Sequence, residues 1–274
     1  MLKFTMVKDN YIFDAEAFLN DVNKRLEQEE LMVDFSSFLS YIITRRIKLT
    51  PKCRWIPRKH VYAINALLKN PLQLDDKIGD RVYKMREECD ASRIYFIDLL
   101  AEASECIIAD GKDVLIKGPT YGRFMNMNTF SKKQWLILAW YFHLDWHNWL
   151  PQGDFGKTLQ VKNFKIVPYL KQWFNARGMI SFKDFAKDLI NSLGLKWNAP
   201  SQNFACEFME WGIIQCILRP LNWFDVIELQ YEKEDEAGVK SIKGFYLKFI
   251  GKLFLEKLVE MGERIKADEY SVIA

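Results

Sequence analysis

The chain has 274 residues, 49% hydrophobic and 27% charged, with 13 Gly and 8 Pro, which excludes a disordered or fibrous polypeptide. Five cysteines, an odd number with no CxxC pair, exclude a disulfide scaffold and a zinc knuckle and point to a reducing, cytoplasmic setting. Lys3, Lys8 and Asp9 interrupt the first ten residues, so no secretory signal is expected, and no uncharged apolar run approaches the ~20 residues of a membrane span, so no membrane partner is expected.

The net charge of +3 conceals an uneven layout. Residues 35–74 hold eight Lys or Arg and no acid, and residues 155–196 hold eight against two Asp. The sign reverses in residues 1–34, with eight acids against four bases, and in residues 197–240, with eight against three. Such alternation steers a charged partner only if like segments meet in space; otherwise it balances the protein's own surface.

In chain order, residues 2–7 read as a strand, and Asp14 opens a helix with Phe18, Val22 and Leu26 on one side. Residues 35–46 form a helix with Phe38, Leu39, Ile42 and Ile43 on its apolar face. Pro57 suits a first helical turn, from which Val61, Ile64, Leu67 and Leu68 carry a stripe toward Asn70-Pro71. Residues 79–88 are expected to be another short helix. Ile94, Phe96, Ile97, Leu99, Leu100 and Ala103 make a buried helix, and Asp110-Gly111 between two short β-rich runs is a hairpin signal. Ser131 with Gln134 reads as a capping box for a helix over 134–143.

Pro151, Gly153 and Asp154 mark a boundary after an apolar run. Beyond it Val167, Leu170 and Trp173 mark a helix, residues 178–180 a strand, and Ser181 with Asp184 the cap of a second helix. Pro200-Ser201 opens a third, with Phe204, Phe208, Trp211, Gly212 and Cys216 expected inward. Residues 223–229 and 244–249 read as two strands joined by an acidic loop, and a closing helix runs over 252–264. The expected fold class is mainly α with small β-hairpins (α+β), built as tandem winged-helix units. Residues 1–90 form a mainly helical section, 91–151 a partial winged unit with a following helix, and 155–274 a second winged domain. Three similar strings, at Lys48-Leu49-Thr50, Leu115-Ile116-Lys117 and Tyr246-Leu247-Lys248, support repetition, since Leu49 and Leu115 lie 66 residues apart and Leu115 and Leu247 twice that, 132.

The string from Ile47 through Lys59, with Lys52-Cys53-Arg54-Trp55-Ile56-Pro57-Arg58, resembles a segment of bacterial proteins related to the plasmid ORF-3 family, with Cys53 where that pattern usually has Gly. Ile116 through Arg123, then Gln134-Trp135, Trp146 and Trp149, are similar to the tandem winged-helix region of those proteins and to amino-terminal regions of some bacterial helicase-like proteins. The resemblance spans roughly residues 35–197. It implies a winged-helix, helix-turn-helix type of architecture and carries over no catalytic residue.

No constellation for a reaction emerges; the expected role is non-catalytic, with an enzyme of unrecognised site as the lesser alternative, and no cofactor or metal is expected. His143 and His147, at i and i+4, could share a helix face, but Leu144 stands where a zinc peptidase needs Glu. Gly118-Pro119-Thr120-Tyr121-Gly122 lacks the lysine of a phosphate loop. The cysteines read as packed thiols, with Cys53 exposed between Lys52 and Arg54.

Winged helices usually lay their third helix in a major groove. Here Glu207 and Glu210 occupy that helix with no Lys or Arg over 201–218, and Glu232, Glu234, Asp235 and Glu236 crowd the wing. In the first unit the equivalent helix sets Asp98, Glu102 and Glu105 against Arg93. Phosphate would be repelled, so the expected partner is another protein, or a second copy of the chain, met by Glu207, Glu210, Glu232, Glu234, Asp235 and Glu236. The alternative is nonspecific nucleic-acid contact through Arg45, Arg46, Lys48, Lys52, Arg54, Arg58 and Lys59, with Trp55 stacking on bases.

Overall fold

A computed structural model describes residues 5–7, 10–12, 15–78, 81–150, 154–175, 178–232 and 241–273. The chain folds as two compact units, residues 1–136 and 137–274, both mostly helical with small antiparallel β-hairpins.

In the first unit β1 (Thr5–Val7) and β2 (Asn10–Ile12) form a hairpin ahead of α1 (Ala15–Glu27) and α2 (Glu30–Arg45). On α2, Leu31, Phe35, Phe38, Leu39 and Ile42 recur at helical spacing and are buried. The helix stops at Arg46, whose φ of 47° turns the chain left-handed. Residues 47–49 then run extended. Leu49 N–H donates to Asp113 O and Leu115 N–H to Ile47 O, both at 2.8 Å, and Lys48 bridges Val114.

After α3 (Arg58–Asn65) come the antiparallel strands β3 (Asp76–Ile78) and β4 (Arg81–Tyr83), then a 3-10 turn at Glu88–Asp90. The central helix α4 (Ser92–Ala103) is buried nearly all round through Ile94, Tyr95, Phe96, Ile97, Leu100 and Ala101. The hairpin of β5 (Ile107–Ala109) and β6 (Leu115–Lys117) follows, then α5 (Tyr121–Met125) and α6 (Thr129–Leu138), in which the unit ends.

A buried ion pair ties these helices. Arg93 on α4 reaches Glu30 and Asp34 of α2, each at 2.9 Å, and Asp34 also accepts Lys69 N–H at 2.7 Å. Removing one partner from such a group strands a charge out of water and costs about 3–5 kcal/mol.

Several expectations are corrected here. Residues 79–88 are not a helix, because Asp76–Ile78 and Arg81–Tyr83 pair as strands. The helix expected over 35–46 starts earlier, at Glu30, and α3 ends well short of Asn70. The cap of α6 is Asn128, whose side chain accepts Ser131 N–H at 2.8 Å, so Ser131 lies inside the helix rather than opening it. Arg93 and Asp98, read as outward-facing, are buried.

The second unit contains α7 (Trp146–Trp149), α8 (Phe155–Gln160), α9 (Asn163–Lys171), β7 (Ile180–Ser181), α10 (Phe182–Leu193), α11 (Gln202–Ile213) and α12 (Arg219–Trp223). It closes with β8 (Ile227–Tyr231), β9 (Ile242–Leu247) and α13 (Phe249–Ile273). The three strands lie in the order β7-β9-β8, antiparallel throughout.

Large rings fill the core of this unit. Trp140 stacks on Trp146 with centroids 6.1 Å apart, and the Trp146 indole N–H donates to Trp140 O at 3.1 Å. Trp173 packs on Phe185 and Phe245 at 4.6 and 4.9 Å, joining α10 to the sheet. The strands expected over 223–229 and 244–249 form a few residues away from those bounds, because α12 carries the helical path through Trp223. Phe204, expected inward, is 52% exposed, and Phe208 and Trp211 are only half-buried.

Candidate functional site

Ser201 and Ser181 fix the helices that border a groove in the second unit. Ser201 caps α11 by accepting Phe204 N–H at 3.2 Å, and Ser181 caps α10 through Asp184 N–H at 3.5 Å. Past Ile213 the helix widens into a π-turn at Ile214–Leu218, which buries Gln215, Cys216, Ile217 and Leu218 together. Gln215 keeps its side-chain oxygen available to Arg219 Nη1 at 2.9 Å, while its carbonyl accepts the Trp149 indole at 2.8 Å.

These elements and the far end of the β8–β9 hairpin enclose a groove of about 410 Å³. Glu207, Glu210 and Trp211 come from α11, Lys183 from α10, Arg219 from α12, and Tyr231, Glu232 and Ile242 from the hairpin. Glu232 is held by Ser241, whose hydroxyl donates to it at 2.6 Å. Burial pushes the Glu210 carboxyl above its ordinary range, with Lys183 opposing that rise. Three carboxylates against two bases, lined by a tryptophan and a tyrosine, suit a ligand that carries both cationic and apolar groups.

Of the acidic residues singled out in the sequence, Glu207, Glu210 and Glu232 therefore meet around one groove. Glu234, Asp235 and Glu236 lie outside the described residues. Trp211, Tyr231 and Arg219 were not anticipated as lining. Trp211 was assigned to the core by its helical spacing, and Tyr231 and Arg219 carry no local signal.

The basic residues scatter over the first unit. Arg45 and Arg46 lie at the end of α2, with Arg45 over the Tyr41 ring, and Lys48 sits on the extended segment. Lys52 and Arg54 occupy the following turn, where Arg54 approaches Asp113 at 3.4 Å. Trp55 is half-buried and its indole bonds to the Tyr95 hydroxyl. Arg58 and Lys59 come together on the first turn of α3, where with Tyr62, Asp75 and Lys84 they line an open depression of about 480 Å³, and on the other side Lys59 and Arg45 both act on His60, whose imidazole burial and these two charges push below its ordinary range. The Tyr62 hydroxyl donates to Asp75, which also accepts Met85 N–H at 3.2 Å. Those two bonds, Tyr62 first, hold the Asp75 carboxyl below its ordinary range.

Beneath the same segment lies a carboxyl pair. Glu88 and Asp98 are 1% and 5% exposed, and Glu88 accepts Ile56 N–H at 2.5 Å. Glu88 Oε1 and Asp98 Oδ1 have no hydrogen-bond partner while both carboxyls are ionised, and the two side chains lie close enough to act on each other. A proton held on Asp98 and donated to Glu88 satisfies both. Burial pushes Glu88 up to about 7 and Asp98 well above its ordinary range.

Cys53 and Cys206 are exposed, Cys89 is half-buried, and Cys106 and Cys216 are buried; all five are free thiols. His147 lies 3.7 Å from Asp154. Among the described residues no group of three or more His, Cys, Asp or Glu could hold a metal ion, and no helix is long and apolar enough to cross a membrane. No protein-family model, curated protein or solved structure matches this chain.

Proposed function

We propose that this chain is a non-catalytic winged-helix interaction module, and that the groove between α11 and the β8–β9 wing takes a segment of a protein partner bearing Lys or Arg beside apolar residues. The observation that carries this reading is the convergence of Glu207, Glu210 and Glu232 around Trp211 and Tyr231. The order helix, strand, two helices, hairpin supports the winged architecture. It occurs as α9, β7, α10, α11, β8, β9, with the first strand beside the last, and again, with β3 and β4 inserted between its two helices, as α2, residues 47–49, α3, α4, β5, β6. A third helix with carboxylates in its groove repels phosphate and attracts ammonium or guanidinium groups, which favours a protein partner over the major groove of DNA.

Selection of displayed random peptides on the purified protein tests the reading. Enriched peptides should place Lys or Arg next to aromatic or aliphatic residues, and should lose binding to a Glu207→Gln, Glu210→Gln, Glu232→Gln variant. Enriched peptides that bind the variant equally well would defeat the proposal.

A further inference from the structure

We propose that the depression between α3 and the β3–β4 hairpin is a backbone-phosphate site for single-stranded nucleic acid, with Arg58, Lys59 and Lys84 as its phosphate contacts. This inference is independent of the groove in the second unit.

Three cations and one carboxylate line the depression. The carboxylate, Asp75, already accepts from Tyr62 and from the Met85 backbone, and it anchors the chain where the hairpin returns to α3. Its negative charge opposes a phosphate, so the lining carries a net charge of about +2. Arg58, Lys59 and Lys84 are all exposed. The Lys59 and Lys84 ammonium groups act on phosphate as point charges and the Arg58 guanidinium as a two-pronged donor, and cations spread over an open surface suit successive phosphates of a strand better than one enclosed anion.

The hairpin extends the surface in the same sense. Lys77, Arg81 and Arg86 are exposed along it against the exposed Asp76 and Glu87, Asp76 standing opposite Tyr83 in the register, and Tyr83 and Val82 are 47% and 57% exposed immediately before Lys84. An exposed ring beside a row of cations is what a strand with unpaired bases can use, since every base offers a face to stack on. In a duplex the bases are already stacked on one another, so Tyr83 would gain nothing there. The site thus keeps two of the eight residues of the basic edge, Arg58 and Lys59, and adds Lys84 from a hairpin that the charge pattern alone did not reveal, with Tyr83 exposed outside the depression on the same hairpin.

The probe is a fluorescein-labelled dT20 oligonucleotide, followed by anisotropy from 50 to 300 mM salt with the full chain. Each phosphate contact contributes about 0.7 to the slope of log affinity against log salt for a single strand. Arg58→Gln, Lys59→Gln, Lys84→Gln together should therefore lower the slope by about 2, and Lys84→Gln alone by about 0.7. Tyr83→Ser should weaken binding roughly fivefold or more with the slope unchanged. A variant with the same loss of charge elsewhere on the unit, Lys24→Gln, Arg25→Gln, Lys112→Gln, should keep the wild-type slope. All these side chains lie at the surface, so thermal midpoints should stay with the wild type. The proposal is overturned if dT20 does not bind at 50 mM salt, if the two triple variants lose slope equally, or if polyglutamate competes as well as unlabelled dT20.

Discussion

Glu88 and Asp98 share a proton in the interior of residues 1–136, and the sign of the resulting pH dependence follows from where that proton is held more tightly. In the unfolded chain the Glu88 carboxyl loses its own proton near 4.5, whereas in the folded protein burial keeps that proton to about 7, with Asp98 raised well above its ordinary range beside it. The stabilisation is complete below the unfolded value and is lost as pH rises through the folded one. Between pH 5 and pH 8 this group alone should remove about 2–3 kcal/mol of stability. In Glu88→Gln the amide can donate to Asp98 and still accept Ile56 N–H, so its denaturant-derived stability should fall less over that range by a similar amount. Parallel pH profiles for the two proteins would contradict the shared proton.

Trp211 and Trp140 make the complementary case for burial. Trp140 is 0% exposed and stacked on Trp146, so Trp140→Ala should cost about 3–5 kcal/mol. Trp211, half-buried at the groove, should cost no more than about half of that on truncation while weakening peptide capture. Equal losses of stability would return Trp211 to the core position that its spacing suggested.

At the scale of elements, the chain announces those parts whose local chemistry acts alone. Asp110 takes Lys112 N–H and Val114 N–H on one side-chain oxygen, so the β5–β6 turn is encoded within five residues and was legible. The caps at Ser181 and Ser201 were legible for the same reason. The β3–β4 hairpin was not, because Val82 and Met85 sit at a helical spacing and the deciding contacts, Tyr62 and Met85 onto Asp75, span up to 13 residues. Of the groove, the acidic residues were visible as a charge run, but their meeting around Trp211 depends on where α11 lies against the hairpin. A separate contact in the same unit rests on Gly244 of β9, where an added Cβ would stand 2.3 Å from Ile180 O and block the approach of β7. Gly244→Ala should destabilise residues 137–274 by about 1–3 kcal/mol, read by thermal unfolding. An unchanged midpoint would show that β7 does not need this contact.

On the scale of the whole chain, the alternation of basic and acidic runs resolves into two units with different surfaces. The run over 35–74 falls in the first, where Arg58 and Lys59 face an open depression, and the acidic run over 197–240 falls in the second, where it borders a groove. The net charge of +3 lies wholly in residues 1–136, since the bases and acids of residues 137–274 balance. The central claim is that the second unit captures a cationic protein segment through Glu207, Glu210 and Glu232. The most direct test is a calorimetric titration of the best selected peptide into wild type and into Glu207→Gln, Glu210→Gln, Glu232→Gln. A loss of tenfold or more in affinity, with the wild-type affinity falling as salt rises, is the expected result; affinities equal within error at every salt concentration would contradict it.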